Sequence, residues 1–219
     1  MRLDQDNPKG QGVLEYALLL LLLGAALVTV LSATGTSLTE AYCLTVSLFN
    51  ENACQTDLVD WELYSGDCTA NGAQVCCSNY GYIFSNDYQG ENYTINVRGA
   101  DLSEGMGYGI YFRTTRENGS FNGYNFQYDP GYAGGAFLFR EWVNGHELSP
   151  FGREDQSAFN WYAKPRDLTI DVNGDTFTAY VDGEQVLTGS DESFGNGGVG
   201  VRVWGGSELC IDSISVQTK

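Results

Sequence analysis

Lysine is nearly missing from this chain: Lys9, Lys164 and Lys219 are the only three in 219 residues. Eleven basic residues face 28 acidic ones, for a formal net charge of −17. Such a surface repels nucleic acid and anionic headgroups, so no nucleic-acid partner is expected. Histidine is represented once, by His146, and no Cys-x-x-Cys pair occurs, which argues against a zinc site. No Asp-x-Asp-x-Asp-Gly loop is present for calcium. A lone histidine in Val143-Asn144-Gly145-His146-Glu147, a turn-like stretch, reads as solvated rather than as a catalytic base.

Charge is also missing from Tyr16 to Thr39. At about 1.5 Å per residue, a helix of that length crosses a hydrocarbon core of about 30 Å. One carboxylate, Glu15, stands at its start, and burial there is costly without a partner. An ordinary secretory signal has a shorter apolar core and a small-residue cleavage site after it. Here the small residue comes first: Gly10, four residues, then Glu15-Tyr16. That arrangement resembles the prepilin motif of type IV pilins, in the tight-adherence or archaeal style. The resemblance covers residues 1 to about 40. It implies a leader, 1–10, cut after Gly10 by a prepilin peptidase to leave Gln11 as the new amino terminus. It implies a long hydrophobic α-helix over 11–41, and pairing of Glu15 with the terminus of a neighbouring subunit. Ala25, Thr29 and Ala33 form a small-residue stripe suited to helix packing. The plainer alternative is an uncleaved signal anchor.

Six cysteines, Cys43, Cys54, Cys68, Cys76, Cys77 and Cys210, lie beyond the apolar segment. An even number there reads as disulfides formed outside the cytoplasm. Of the fifteen full pairings, those joining Cys210 to Cys76 or Cys77 are expected, tying the last strand to the start of the domain. Residues 42–59 read as a polar neck carrying Cys43 and Cys54. Two Asn-x-Ser/Thr sequons, at Asn92 and Asn118, permit glycosylation.

From about Asp60 to Lys219 the pattern is mainly β. Apolar and polar residues alternate in Tyr93–Arg98, Tyr108–Arg113 and Tyr124–Tyr128. Leu168–Leu187, punctuated by Asn173-Gly174 and Asp182-Gly183, reads as a three-stranded meander. About eleven strands rich in Gly and Tyr suit two packed antiparallel sheets. The order of Gly107–Arg113, the meander ending Tyr180-Val181-Asp182-Gly183-Glu184, and the closing Gly197–Arg202 resembles the concanavalin A-like jelly roll of laminin-G-type and glucanase-like domains. The resemblance covers about 60–219 and implies a fold rather than an activity, since that fold hosts lectins, hydrolases and adhesive modules. Glycosidases of this fold resemble one another in a Glu-x-Asp-x-x-Glu strand. No such run exists, so Glu141, Glu147, Glu154-Asp155 and Asp191-Glu192 read as loop or rim charges and no enzyme is expected. Calcium is common in the resembling family, and Asp129 and Asp212 are the residues that would supply oxygens.

Strand parity sets Tyr111 and Arg113 opposite Ile110 and Phe112, Asn125 and Gln127 opposite Tyr124, Phe126 and Tyr128, and Arg140 and Trp142 opposite Phe137 and Phe139. If the phenylalanine-rich sides form the core, then Tyr111, Arg113, Asn125, Gln127, Arg140 and Trp142 share a second face. Aromatic platforms and planar polar groups suit sugar rings; a solvated face, or one packed on another subunit, is the plainer reading. The sequence as a whole predicts a membrane-inserted prepilin that assembles into an extracellular helical homopolymer of identical subunits, built by pilus machinery. The alternative is a carbohydrate-binding surface adhesin carried by the same helix.

Overall fold

The structure, a computed structural model, describes residues 54–219 together with Tyr16, Leu18, Cys43 and Val46. The chain divides into two compact units, Met1–Cys54 and Gln55–Lys219. In the first unit the four isolated residues are helical, Tyr16 and Leu18 are exposed, and Cys43 is bonded to Cys54. The neck cysteines therefore staple the neck to itself. Gly10, Gln11, Glu15, Ala25, Thr29 and Ala33, and the body of the expected 11–41 helix, lie outside the described residues. Among the described residues no helix is long and apolar enough to cross a membrane.

The second unit contains fourteen described strands. They are β1 (Gln55–Asp57), β2 (Trp61–Asn71), β3 (Gln74–Ser85), β4 (Tyr93–Glu104), β5 (Gly107–Glu117), β6 (Ser120–Asp129) and β7 (Ala136–Val143). There follow β8 (His146–Asp155), β9 (Arg166–Asn173), β10 (Thr176–Val181), β11 (Glu184–Ser190), β12 (Gly198–Trp204), β13 (Ser207–Ile211) and β14 (Ser213–Thr218). All pairings are antiparallel. One sheet runs β1-β14-β4-β9-β10-β11. The other runs β2-β3-β12-β5-β6-β7-β8. Strand β13 joins them by pairing with β3 on one side and β4 on the other.

The expected alternation is what fills the space between the sheets. Ile95, Val97, Ile110, Phe112, Tyr124, Phe126, Tyr128, Phe137 and Phe139 all belong to one buried cluster. Phe112 meets Phe177 of the opposite sheet edge-on, ring centroids 4.9 Å apart. The meander forms as β9-β10-β11, with one shift: Thr176 pairs with Asn173, so Gly174 and Asp175 make the first turn. Gly174 alone of those two has positive φ, +54°, which suits a turn that needs glycine only at its first central position. The sandwich also starts earlier than the composition suggested. β1 pairs with β14, and Leu58 is wholly buried, so the stretch expected as neck contributes a strand and a core residue.

Two disulfides fix β3 to its neighbours. Cys68–Cys77 links β2 to β3, and Cys76–Cys210 links β3 to β13, each between residues directly opposite in the ladder. Cys76 and Cys77 are consecutive, so they point to opposite faces of β3, and the bridges lie on opposite faces. Of the two partners expected for Cys210, Cys76 is the one used.

Candidate functional site

The face of the second sheet turned away from the core carries a second cluster. Phe84, Tyr111, Phe121 and Trp142 are buried there, with Tyr82 packed against them. Across the ladder Phe84, Gly200, Tyr111, Asn125 and Arg140 are in register, one residue from each of β3, β12, β5, β6 and β7. Tyr82, Arg202, Gly109 and Gln127 form a parallel row two residues along. The glycines leave room for flat side chains. A Cβ on Gly200 would collide with the Phe84 ring, and one on Gly109 with the Asn125 amide.

This face is concave. Glu147, near the start of β8, accepts from Gln127 Nε2 at 2.7 Å and from Arg202 Nη1 at 2.9 Å, and is ion-paired with Arg140 Nε at 2.9 Å, whose N–H donates to Gln127 Oε1 at 3.0 Å. Strands β8 and β12 are four inter-strand steps apart, or about 19 Å on a flat sheet. A glutamate and an arginine do not reach across that distance unless the sheet curls the two edges toward each other. Edge strand β2 curls in from the other side: Tyr64 packs edge-on against Phe84 and Phe121, and its hydroxyl donates to Gly119 O at 2.7 Å.

The curl buries much of what parity placed on the face. Tyr111 and Asn125 are 0% exposed, Gln127 is 1% and Trp142 is 4%. They form a floor rather than an open platform. Above them stand the half-buried Tyr82, Arg140, Arg202 and Trp204, with the Arg202 guanidinium 4.6 Å from the Trp142 ring and 4.7 Å from the Trp204 ring. Tyr132 lies under both Arg140 and Arg153.

Arg113 departs from parity. Its φ is +48°, the β5–β6 register shifts between Phe112 and Thr115, and the bulge turns the side chain away from Tyr111. Its guanidinium instead donates to the carbonyls of Glu91, Gly174 and Phe194. Arg113 is thus a structural staple outside the face. Tyr82, Phe84 and Arg202, all central to it, were not placed on this face by the sequence reading, and Glu147 was read as a loop or rim charge. The signal for the first three was the same period-2 rule, applied to Gly81-Tyr82-Ile83-Phe84 and Val199–Trp204. Nothing in the sequence marked Glu147, whose role depends on curvature.

Polar groups on this face lack partners inside the protein. The Tyr111 hydroxyl, both amide atoms of Asn125, the Trp142 indole N–H and Arg202 Nε are buried without a hydrogen bond. Buried polar groups are ordinarily satisfied, so this cluster beneath the half-buried rim is an exception to the usual pattern, and its atoms are closed off from solvent by the side chains above them. Burial pushes the Tyr111 hydroxyl well above its ordinary pKa, against the pull of the Arg202 charge. Burial likewise pushes the Asp129 carboxyl up to about 6, opposed by backbone N–H groups of Tyr132 and Gly131, and its Oδ1 is unpaired.

Asp129 and Asp212 are not brought together. Asp129 ends β6 beside Gly107, near the Ser207 end of β13, and Asp212 follows the far end of that strand. Among the described residues no group of three or more His, Cys, Asp or Glu is arranged to hold a metal ion. Of the sequon residues, Asn118 is exposed in the β5–β6 turn, whereas Asn92 is half-buried and accepts from Gly174 N at 2.7 Å. His146 is exposed.

No protein-family model matches the chain, and no curated protein matches it. Solved structures do. The chain is similar to a carbohydrate binding module from Bacillus subtilis, CBM66, with a TM-score of 0.61 and 20% identity over 74% of this chain and 97% of that one. The second unit is a jelly-roll sandwich. It is also similar to a prokaryotic beta-1,3-1,4-glucanase (lichenase) derived from a mouse hindgut metagenome, with a TM-score of 0.54 and 12% identity over 73% and 93% of the two chains. The metal-free exoplasmic/lumenal domain of VIP36 matches with a TM-score of 0.54 and 11% identity over 74% and 91%. At these identities the likeness is one of fold.

Proposed function

We propose that this chain is a non-catalytic carbohydrate-binding protein whose jelly roll takes a glycan on the concave face of the β2–β8 sheet. The observation that carries the reading is the half-buried Tyr82–Arg202–Trp204 row on that face, with the Arg202 guanidinium 5.3 Å from the Tyr82 ring and 4.7 Å from the Trp204 ring. Sugar hydroxyls accept hydrogen bonds, and the half-buried Arg140 and Arg202 guanidiniums are the donors that can reach them. The aromatic walls suit the apolar faces of the sugar ring. The carbohydrate-binding module of the same fold supports the reading, while the glucanase likeness leaves hydrolysis as its rival. Against hydrolysis, Glu147 is held by two hydrogen-bond donors and a further ion pair, and the sequence lacks the paired carboxylates of the glycosidase strand.

The test is a glycan array followed by calorimetry on purified residues 55–219 and on the full chain. Binding to at least one glycan is expected, weakened about 10- to 100-fold by Trp204→Ala with the melting temperature unchanged. Silence across the array, or release of reducing ends on incubation with the bound glycan, would overturn it.

A second element of the reading concerns delivery, and it rests on Gly10 placed before Glu15-Tyr16 and the uncharged run that follows. That pattern supports processing after Gly10 and display of the sandwich outside the cell, on a filament or at the membrane. Sequencing the amino terminus of surface-exposed protein is the check: Gln11 is expected, and Met1 would sink the prepilin-like route.

A further inference from the structure

Within a chain of net charge −17, three arginines gather on one concave face: Arg140, Arg153 and Arg202. Two of them, with Gln127, converge on a single carboxylate, that of Glu147. The arrangement is an anion pocket whose occupant comes from the protein's own β7–β8 hairpin. Glu147 is the second residue after the Asn144-Gly145 turn and reaches in from the sheet's outer strand, with its side chain 27% exposed. Rotation about its side-chain bonds would carry the carboxylate to solvent without moving a strand.

The pocket also has donors to spare. Arg140 and Arg202 bring two half-buried guanidinium groups to it, and Arg202 Nε, covered while Glu147 is in place, makes no hydrogen bond. One glutamate cannot reach all of these, whereas a ring bearing its own carboxylate offers a charged group and several hydroxyl oxygens at once. Exchange of one carboxylate for another leaves each arginine with an anionic partner, so the penalty of stranding a buried charge is avoided. Glu147 returns to water, where a carboxylate is well solvated.

We infer that the concave face recognises a uronic-acid-containing glycan, its carboxylate displacing Glu147 from Arg140 and Arg202. The inference rests on the glycan-binding role proposed above and names the ligand class for that site. The protein's overall negative charge opposes the approach of such a polymer. At physiological ionic strength the Debye length is about 8 Å, so distant carboxylates are screened while the arginines in contact are not.

The experiment is calorimetry of the full chain with trigalacturonate, with its methyl ester, with polyglutamate and with dextran sulfate. Tighter binding of trigalacturonate than of the ester, by 10-fold or more, is expected. Glu147→Gln should strengthen trigalacturonate binding several-fold because it removes the competing charge, and Arg202→Gln should abolish it. Equal affinity for ester and acid, or weakening by Glu147→Gln, would overturn the inference while leaving the glycan-binding role standing. Equal binding of polyglutamate or dextran sulfate would overturn it in favour of generic polyanion adsorption. Failure of every saccharide here and on the array would remove both. If Glu147→Gln does not fold, the wild-type Arg202 Nε–H resonance serves instead: a shift on adding trigalacturonate but not its ester is expected, and no shift overturns the inference.

Discussion

The Arg113 guanidinium lies 5.3 Å from the centre of the Phe177 ring, so a charge from one sheet is packed against an aromatic of the other. The same group ties three loops: Nη1 donates to Phe194 O, and Nη2 to both Glu91 O and Gly174 O. Removing it strands three carbonyls and opens a void beside Phe177. Arg113→Ala should cost about 3–5 kcal/mol, and Arg113→Lys a large part of that, because an ammonium lacks the planar fork that reaches three acceptors. Urea unfolding midpoints measure both; an unchanged midpoint for the lysine variant would refute the fork argument.

The disulfides should differ in worth. Cys76–Cys210 closes a span of 134 residues and Cys68–Cys77 one of 9. In the chain-entropy account a longer closed loop restricts the unfolded state more, by about 2 kcal/mol for this pair. The double variant Cys76→Ser/Cys210→Ser should therefore unfold at clearly lower urea than Cys68→Ser/Cys77→Ser. The reverse order would show that native packing around the buried Cys68–Cys77 bridge outweighs loop closure.

Asp129 supplies a pH dependence of unusual sign. Its pKa in the folded protein, about 6, is above that of an unfolded aspartate, because burial disfavours the charged form. Between about pH 4 and 6 the folded state then holds more proton than the unfolded one, so this residue's contribution to stability falls as pH rises. Asp129→Asn should raise stability at pH 7 by up to about 3 kcal/mol and flatten the acid limb of the stability curve. Unfolding curves for both proteins from pH 4 to 8 decide it; parallel curves would rule out the burial argument.

Gly200 lies under the Phe84 ring, and a methyl group there would strike both the ring and the Ile83 carbonyl. Gly200→Ala should cost about 1–3 kcal/mol through overpacking. It should also weaken glycan binding, since Phe84 supports Tyr111 at 5.4 Å. Thermal melts and calorimetry on the same variant separate the two effects; a variant as stable as wild type would mean the ring moves aside freely.

The core was legible because alternation in strands such as Tyr93–Arg98 and Tyr124–Tyr128 maps directly onto one buried face. The composition of the second face was legible by the same parity for Tyr111, Asn125, Gln127, Arg140 and Trp142. Its exposure was not, since curvature is a property of the whole sheet and no local pattern records it. Arg113 was misplaced because a bulge moves parity by one, and an arginine gives no warning of positive φ where a glycine would. β2 carries exposed residues on both faces for most of its length, so no period announced it, and its place follows from its pairing with β3 and the Cys68–Cys77 bridge. Glu147 read as a rim charge because its three partners come from β6, β7 and β12, which only the folded sheet assembles.

The bridge from Cys76 to Cys210 also sets which parts of the sandwich a pull on the two ends of the unit can draw out. The 134 residues it encloses amount to about 450 Å of extended chain that a pull on the two termini cannot release. Only the stretches before Cys76 and after Cys210 can lengthen under load. Of the strands on the concave face, β5, β6, β7, β8 and β12 lie inside the closed ring, with the Tyr82 and Phe84 end of β3, whereas β2 lies before it. Tension that peels β1 from β14 would leave the strands inside that ring joined at both ends, ready to close again when the load is gone.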